Sequence, residues 1–215
     1  MTQDQRAPSA AERAYALLRT RILDGEVPPG TMLGESPLAA ELGMSRTPVR
    51  AALSRLQDEG WITIYPKRGA LVRGLGQRAV AELAEMRVLL ETAGERRTPA
   101  QLRAEVAARL EDLLAAERRA YAERDLPTLL TTLQAFHRGF VEAGGNLVML
   151  ELYGRLADRH RFALSTAGEE LYVGAEESLA EHAELLDAFR RGDSARFEAT
   201  LRCHVTEVGA PREAG

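Results

Sequence analysis

The sequence is poor in cysteine, in aromatic residues and in long apolar runs. A single cysteine allows no intrachain disulfide framework and fits a reducing compartment. No apolar run approaches the roughly 20 residues needed to cross a bilayer. The first residues, MTQDQRAPSAAER, lack the basic-then-apolar pattern of a secretory signal. We therefore expect a cytoplasmic protein with no membrane partner.

The chain also lacks the overall positive charge that many nucleic-acid-binding proteins carry, because its formal net charge is -4. That charge is unevenly distributed. Residues 1–75 hold ten Arg and Lys against eight Asp and Glu, whereas residues 76–215 hold eighteen against twenty-four. Since DNA binding depends on a local basic surface rather than on total charge, this distribution permits a DNA-binding N-terminal part without requiring one.

The first 75 residues have the element order of a winged helix-turn-helix. Helical periodicity is followed by a short helix beginning with Ser36 as N-cap and Pro37, then by a helix capped by Ser45 or Thr47. Beyond Gly60 the pattern becomes β-branched and aromatic on both sides of a Pro-Lys-Arg-Gly turn, which predicts a hairpin. The predicted helices span about 11–24, 36–41 and 47–58, and the predicted strands 61–65 and 70–72.

Residues 76–215 are predicted to form an all-helical domain, with the boundary near Gly74-Leu75-Gly76. Thr98-Pro99-Ala100-Gln101 is typical of a capping box, and Asp125 and Asn146 are candidate N-caps. Six amphipathic stretches are predicted at about 77–97, 100–124, 125–143, 146–166, 176–191 and 194–208. The fold class is thus mainly α: a winged helix-turn-helix followed by a six-helix antiparallel bundle.

The third helix of the first domain carries the features of a DNA-recognition helix. Arg46 and Arg50 are four residues apart and project from one side, where arginine can contact guanine or phosphate. The alternative is a winged-helix module with surface arginines that contacts other proteins. The candidate DNA-binding residues are Ser36, Ser45, Arg46, Thr47, Arg50, Lys67, Arg68 and Gly69.

Three histidines lie on the apolar faces of three different predicted helices: His137, His182 and His204. A single inward histidine is usually a hydrogen-bonded core residue. Three on separate helices of one bundle are candidates for a shared divalent metal ion, zinc or nickel-like, because buried imidazoles without partners are costly. Both interpretations remain open at this point.

The positions of other residues in the predicted helices indicate further roles inside or outside the bundle. Arg87 can pair with Glu91 four residues later, or it can clamp the carboxylate of an organic-acid ligand. Tyr153, Arg159 and Arg161 are further candidates for the same cavity. The charged run Asp158-Arg159-His160-Arg161 predicts a solvated position for His160, and Cys203 is predicted to be a small core thiol.

The N-terminal motifs resemble those of the GntR family of bacterial regulators. The resemblance covers residues 11–75 and is carried by Gly30-Thr31-Met32-Leu33-Gly34-Glu35-Ser36-Pro37-Leu38-Ala39, by Gly43-Met44-Ser45-Arg46-Thr47-Pro48-Val49-Arg50, and by Leu56-Gln57-Asp58-Glu59-Gly60-Trp61. Ala51 replaces the glutamate common after that arginine. The resemblance implies operator DNA as partner, with Arg46, Thr47, Arg50 and the wing at Lys67–Gly69 contacting it.

The second half resembles the FadR-like branch of that family, whose FCD-type effector domain is all-helical. Phe136-His137-Arg138, Gly145-Asn146, Ser178-Leu179-Ala180-Glu181-His182 and His204 carry this resemblance. It implies a homodimeric repressor whose operator affinity is modulated by a small organic acid, bound at Arg87, His137, His182 and His204 with a metal ion. However, Leu133 stands where the family has an acidic or amide ligand, and Gln134 lies one position off.

Three rival interpretations follow from these residues. The bundle has lost its metal and senses a ligand without it, or it serves mainly dimerisation. The third is a zinc enzyme, because three histidines with an open position can activate water. Against an enzyme, no carboxylate is predicted to stand beside the histidines as a base, since Glu181 lies about 100° around its helix from His182.

Overall fold

The chain in this computed structural model is described for residues 7–207. It divides into two compact units between Gly74 and Leu75. The outer ends of the two predicted domains and the last residue of the predicted final helix lie outside the described residues. Each unit is considered by itself below.

The first unit is a winged helix-turn-helix, as predicted. Its helices pack on a three-stranded antiparallel sheet of order β1-β3-β2, in which Ile62 pairs with Val72 and Tyr65 with Gly69. The elements are α1 Ala10–Leu23, β1 Met32–Leu33, α2 Glu35–Glu41, α3 Arg46–Asp58, β2 Ile62–Tyr65 and β3 Gly69–Val72.

Strand β1 is the element of this unit that was not predicted. It has only two residues, and it pairs Met32 with Leu71 and Leu33 with Ala70. This pairing explains Gly69, whose φ is +114° and whose Cβ, if present, would lie 2.6 Å from the carbonyl oxygen of Leu33. Gly69 therefore allows β1 to approach the β2–β3 hairpin closely, in addition to closing the turn of the wing.

The start of α2 differs from the prediction. Gly34, not Ser36, occupies the N-cap position, and no side chain caps this helix. Ser36 and Pro37 consequently lie inside the first turn, where proline is tolerated because the backbone N–H groups there have no intrahelical partner. Ser45 is the N-cap of α3 by its extended backbone, again without a side-chain hydrogen bond.

The second unit contains the six predicted long helices. A short helix that was not predicted, α8, connects the fourth and fifth of them. Among the described residues, none of the helices combines the length and apolarity that crossing a bilayer requires. The helices are α4 Gln77–Arg97, α5 Ala100–Glu123, α6 Leu126–Ala143, α7 Leu147–Thr166, α8 Glu170–Val173, α9 Ala175–Arg191 and α10 Ser194–Glu207.

Two of the three predicted caps in this unit are confirmed. The Asp125 side chain accepts a hydrogen bond from the Thr128 N–H at the start of α6, and Asn146 accepts from the N–H groups of the second and third residues of α7. The predicted capping box at Thr98 is wrong. Its hydroxyl donates backward to the carbonyl oxygen of Gly94, so Thr98 ends α4 rather than beginning α5.

The core of the second unit consists mainly of phenylalanines and leucines from the five long helices that follow α4, and α4 itself contributes Val88. Phe136 and Phe140 are fully buried and lie edge to face, with ring centroids 5.1 Å apart. Phe189 and Phe197 contact Phe140 from α9 and α10. Such packing fixes the helix positions to within small displacements, which gives the polar side chains inside the bundle a defined geometry.

Candidate functional site

The three predicted histidines come together in the centre of the bundle. His137 lies on α6, His182 on α9 and His204 on α10, and all three side chains are buried. The Nε2 atom of His182 lies 3.1 Å from the Nε2 of His137 and 3.1 Å from the Nε2 of His204. One ligand atom from each residue falls within 4.8 Å of the others.

A glutamate lies behind each imidazole, on the Nδ1 side away from the shared centre. Glu91 Oε2 is 2.8 Å from Nδ1 of His137. Both carboxylate oxygens of Glu117 are 2.9 Å from Nδ1 of His182. Glu181 Oε2 is 2.7 Å from Nδ1 of His204. Such carboxylate–histidine pairs orient the rings and fix their tautomers in metal sites.

These contacts favour one tautomer of each imidazole. Where the carboxylate is ionised it can only accept a hydrogen bond, so Nδ1 donates to it and Nε2 presents a lone pair. Burial holds the pKa of His137 and of His204 well below the usual value, which favours their neutral forms. Three nitrogen lone pairs thus converge, an arrangement that is repulsive unless a cation is shared between them.

The donor set fits a divalent metal ion of the zinc or nickel type. Nitrogens at about 2.0–2.1 Å from a metal lie about 3.3 Å apart in a tetrahedron and about 3 Å apart in an octahedron. The two spacings of 3.1 Å that involve His182 are compatible with both, and one ligand atom of His137 and one of His204 lie within 4.8 Å of each other. Leu133 is buried in the core and provides no ligand, and Gln134 is half-buried one position away. Among the described residues the cluster supplies three nitrogens, and a metal ion held by them would have further coordination positions.

Arg87 extends this cluster toward a second group of polar residues. It is buried, and its Nε donates to Glu91 Oε1 at 2.9 Å, which confirms the predicted pair. Tyr153, one of the predicted cavity residues, donates to the same oxygen at 2.9 Å. Burial raises the pKa of the Glu91 carboxyl, whereas these two donors favour its ionised form. Glu91 thus joins the arginine to His137.

One nitrogen of Arg87 has no hydrogen-bond partner within the described residues: Nη2, although it is buried. Its Nη1 lies 2.9 Å from Nε2 of His160. A buried guanidinium N–H without an acceptor is costly, so Nη2 is a candidate donor to a ligand oxygen. Glu91 connects this guanidinium to the three-histidine cluster, because it contacts both Arg87 and His137.

Three of the sequence predictions about this region are wrong. His160 does not lie on a solvated face; it is half-buried, turned toward Arg87, and its pKa is well below the usual value because of burial and the arginine charge. Cys203 is exposed rather than a core thiol. No carboxylate was predicted to stand beside the histidines as a base, yet Glu91, Glu117 and Glu181 each contact one of them, Glu181 reaching His204 from the neighbouring helix α9.

The predicted DNA-binding residues lie mostly on the surface of the first unit. The side chains of Lys67 and Arg68 are exposed at the tip of the hairpin, where Lys67 adopts a positive φ of 64°. Gly69 is half-buried. Exposed positions in α2, at the start of α3 and in its first turns are occupied by Ser36, Ser45, Arg46, Thr47 and Arg50.

A carboxylate that was not singled out from the sequence contacts both arginines of α3. Glu35, the first residue of α2, accepts from Arg50 Nε at 3.0 Å and from Arg50 Nη2 at 2.8 Å. Arg46 Nη2 lies 3.4 Å from the same carboxylate. The hydrogen bonds from Arg50 keep the pKa of the Glu35 carboxyl below its usual value. The pair is therefore ionic at neutral pH.

The winged helix-turn-helix of the first unit belongs to the helix-turn-helix class of DNA-binding folds, and the second unit is a helical bundle with buried polar residues. The chain belongs to the GntR family: residues 10–72 match the bacterial regulatory proteins of the gntR family, and residues 82–207 match the FCD domain. These families and the relatives below are transcriptional regulators rather than enzymes, and the resemblance identified from the sequence is confirmed.

Relatives support this membership along most of the chain. A helix-turn-helix transcriptional regulator from an unstable DNA locus of Streptomyces ambofaciens is 31% identical over 199 residues, which cover 90% of this chain and 81% of the relative. The gluconate operon transcriptional repressor of Bacillus subtilis is 42% identical over 87 residues, 40% of this chain and 35% of the repressor. A crystal structure of a GntR regulator from Rhodococcus shares the fold, with a TM-score of 0.79 and 23% identity over 94% of this chain and 96% of that one.

Proposed function

We propose that this regulator is a cytoplasmic repressor whose affinity for operator DNA is modulated by a small organic acid bound beside a divalent metal ion in the helical unit. The observation that carries the proposal is the convergence of three Nε2 atoms whose opposite nitrogens are each held by a glutamate. Repressors occur among the relatives of the chain.

Each residue of the cluster has a distinct part in ligand capture. His137, His182 and His204 would hold the metal ion, which would supply a Lewis acid for the carboxylate oxygens of the ligand. Arg87 would donate from Nη2 to the same acid, since this N–H has no other acceptor among the described residues. His160 and Glu91 hold the guanidinium in place by contacts on its other nitrogens.

The absence of a ligand at Leu133 favours a site that depends on the acid to complete it. With three protein nitrogens and no acidic ligand, the metal site carries more positive charge than one with a bound aspartate. A more positive site favours an anionic ligand. The alternative, an acid bound by Arg87 without metal, uses the same arginine but predicts no dependence on zinc or nickel.

In this proposal Arg46, Thr47 and Arg50 contact bases or phosphates of the operator, and Lys67 and Arg68 contact it from the wing. We further propose a homodimer, so that two recognition helices contact two half-sites. Helices α4 and α7 pack against each other, and both carry large apolar side chains that are exposed. These side chains support a dimer interface: Met86, Leu89, Leu147, Val148 and Leu152. An acid that prefers one arrangement of the dimer by about 1–3 kcal/mol suffices to change operator occupancy.

A thermal-shift screen tests the proposal. Protein stripped with a chelator is measured with zinc or nickel alone, with a panel of small mono- and dicarboxylic acids alone, and with both together. We expect at least one acid to raise the melting temperature more with metal than without it. Arg87→Met should remove the response to acid while retaining the response to zinc. An acid response that is equal with and without metal would support the metal-free alternative.

Two further outcomes would contradict the proposal. If neither metal nor any acid shifts the melting temperature, the bundle serves dimerisation rather than sensing. If an acid is consumed during incubation, as measured by chromatography of the mixture, the site turns over its ligand and is not only a sensor. Sedimentation equilibrium of the same samples reports the oligomeric state independently.

A further inference from the structure

We propose that Glu35 is a specificity-determining residue, which holds Arg50 in the orientation that contacts a guanine and lowers affinity for DNA of other sequence. This inference rests on the proposed reading of DNA by Arg50 and goes beyond it by assigning a function to a carboxylate. Glu35 lies at the start of α2, and its side chain is about one-quarter exposed, whereas that of Arg50 is 65% exposed.

The geometry of the pair determines which edge of the guanidinium is available. Glu35 binds the edge formed by Nε and Nη2, at 3.0 and 2.8 Å. The other bidentate edge, formed by Nη1 and the second N–H of Nη2, is directed away from the carboxylate. That edge matches the O6 and N7 acceptors of guanine in the major groove. Glu35 therefore leaves free the donors that a guanine requires.

A fixed guanidinium loses less conformational entropy on binding than a mobile one. Arg50 is otherwise a long, exposed side chain, so without Glu35 it would have to be immobilised by the base itself. The carboxylate thus strengthens binding to DNA with a guanine in the correct position. It gives no such increase in affinity for DNA that lacks this guanine.

The charge of Glu35 acts in the opposite direction on binding that does not depend on sequence. A carboxylate next to Arg46 and Arg50 offsets part of the positive charge that attracts phosphates. Removal of this charge should therefore strengthen binding to any duplex, while the loss of orientation weakens discrimination. The charge effect raises the specific and the non-specific affinity together, so the loss of orientation alone reduces the ratio between them.

The test compares Glu35→Gln with the matched variant Glu41→Gln. Glu41 is the last residue of the same helix and pairs with Arg21 at 2.6 Å. The substitution Glu41→Gln therefore removes the same charge without releasing Arg50. The unaltered full-length protein first selects a duplex from a random-sequence DNA library. Fluorescence anisotropy then gives the dissociation constants for that duplex and for a scrambled duplex of equal length and composition.

We expect Glu35→Gln to lower the affinity ratio about tenfold, within the range of one bidentate base contact, and Glu41→Gln to change it less than about twofold. In an Arg50→Ala background, Glu35→Gln should leave the ratio unchanged. Circular dichroism melting confirms that the variants are folded. An unchanged ratio for Glu35→Gln, or equal losses for both glutamates, overturns the inference while leaving DNA reading intact. If the unaltered protein selects no sequence, the proposed DNA reading itself fails.

Discussion

Substitution of His182 by glutamine tests whether the imidazole cluster is a metal site. His182 is the central histidine, because its Nε2 lies 3.1 Å from the Nε2 atoms of both His137 and His204. Glutamine keeps a side-chain N–H that can donate to Glu117, but it removes the nitrogen lone pair at the centre. The metal-free protein should therefore remain folded, and zinc binding should be lost.

The expected size of the effect follows from ligand linkage. Zinc at a hundred times its dissociation constant stabilises the folded state by about 2.7 kcal/mol. For a helical unit of this size that corresponds to an increase of about 10 °C in melting temperature. Mutation of a residue that only hydrogen-bonds to a metal ligand typically lowers metal affinity about 10–100-fold. Loss of a ligand itself should therefore lower the affinity for zinc at least about 100-fold. At the same zinc concentration the shift then falls to about 1.5 °C or less.

Differential scanning fluorimetry of chelator-stripped protein, with zinc added back, measures both shifts. His160→Gln is the matched control, since it removes a nearby imidazole that contacts Arg87 rather than the cluster. Cys203→Ser controls for zinc bound by the exposed thiol. If His182→Gln retains the full zinc shift, or if His160→Gln loses as much, the three histidines are not the metal ligands.

Three further predictions concern other parts of the chain. Arg50→Ala should weaken binding to a selected duplex at least about tenfold in an anisotropy titration and leave the zinc shift unchanged, because a bidentate arginine contact is worth about 1–3 kcal/mol; retained affinity would remove Arg50 from the reading surface. The pKa of His160 is lower in the folded state than in the unfolded chain, where it is about 6.5. The contribution of neutral His160 to the free energy of unfolding is therefore fully present above pH 6.5 and is lost as the pH falls below it. Between pH 7.5 and 5.5, denaturant titrations of metal-free protein should therefore show a loss about 1 kcal/mol larger than in His160→Gln, and equal losses would contradict the depressed pKa. Gly94→Ala should destabilise the helical unit by about 1–3 kcal/mol in urea unfolding, because the added Cβ would lie 2.4 Å from the carbonyl oxygen of Phe140; an unchanged midpoint would show that α4 and α6 can separate.

The sequence pattern was sufficient for the fold and for the three histidines. Each histidine stands in an apolar stripe of strong helical period, and the bundle turns such stripes inward, so His137, His182 and His204 meet. The wing was predictable because Pro66 to Gly69 interrupts two β-branched segments. Strand β1 was not, because two residues carry no detectable period and become a strand only through pairing with β3.

The outer partners of the site were missed for a different reason. His160 was judged by its charged neighbours, although Tyr153, Leu156 and Ala157 precede it by seven, four and three residues and share its face. Glu117 similarly follows Leu110 and Leu114 on the buried face of α5. A carboxylate or imidazole inside an apolar stripe is a signal that the sequence does contain.

Other features depend on tertiary structure and leave no local signal. Glu181 contacts His204 across the α9–α10 interface, and its angle from His182 on its own helix does not predict this. Glu35 and Arg50 are fifteen residues apart on two helices, and only the turn between α2 and α3 brings them together. Such contacts depend on how helices pack, which periodicity within one helix does not determine.

The most direct test of the central claim is anomalous diffraction from crystals of the zinc-loaded protein, recorded above and below the zinc absorption edge. We expect one peak inside the bundle, about 2.0–2.1 Å from the Nε2 atoms of His137, His182 and His204. A peak elsewhere, for example at Cys203, or Nε2 atoms still in mutual contact with no peak between them would contradict it.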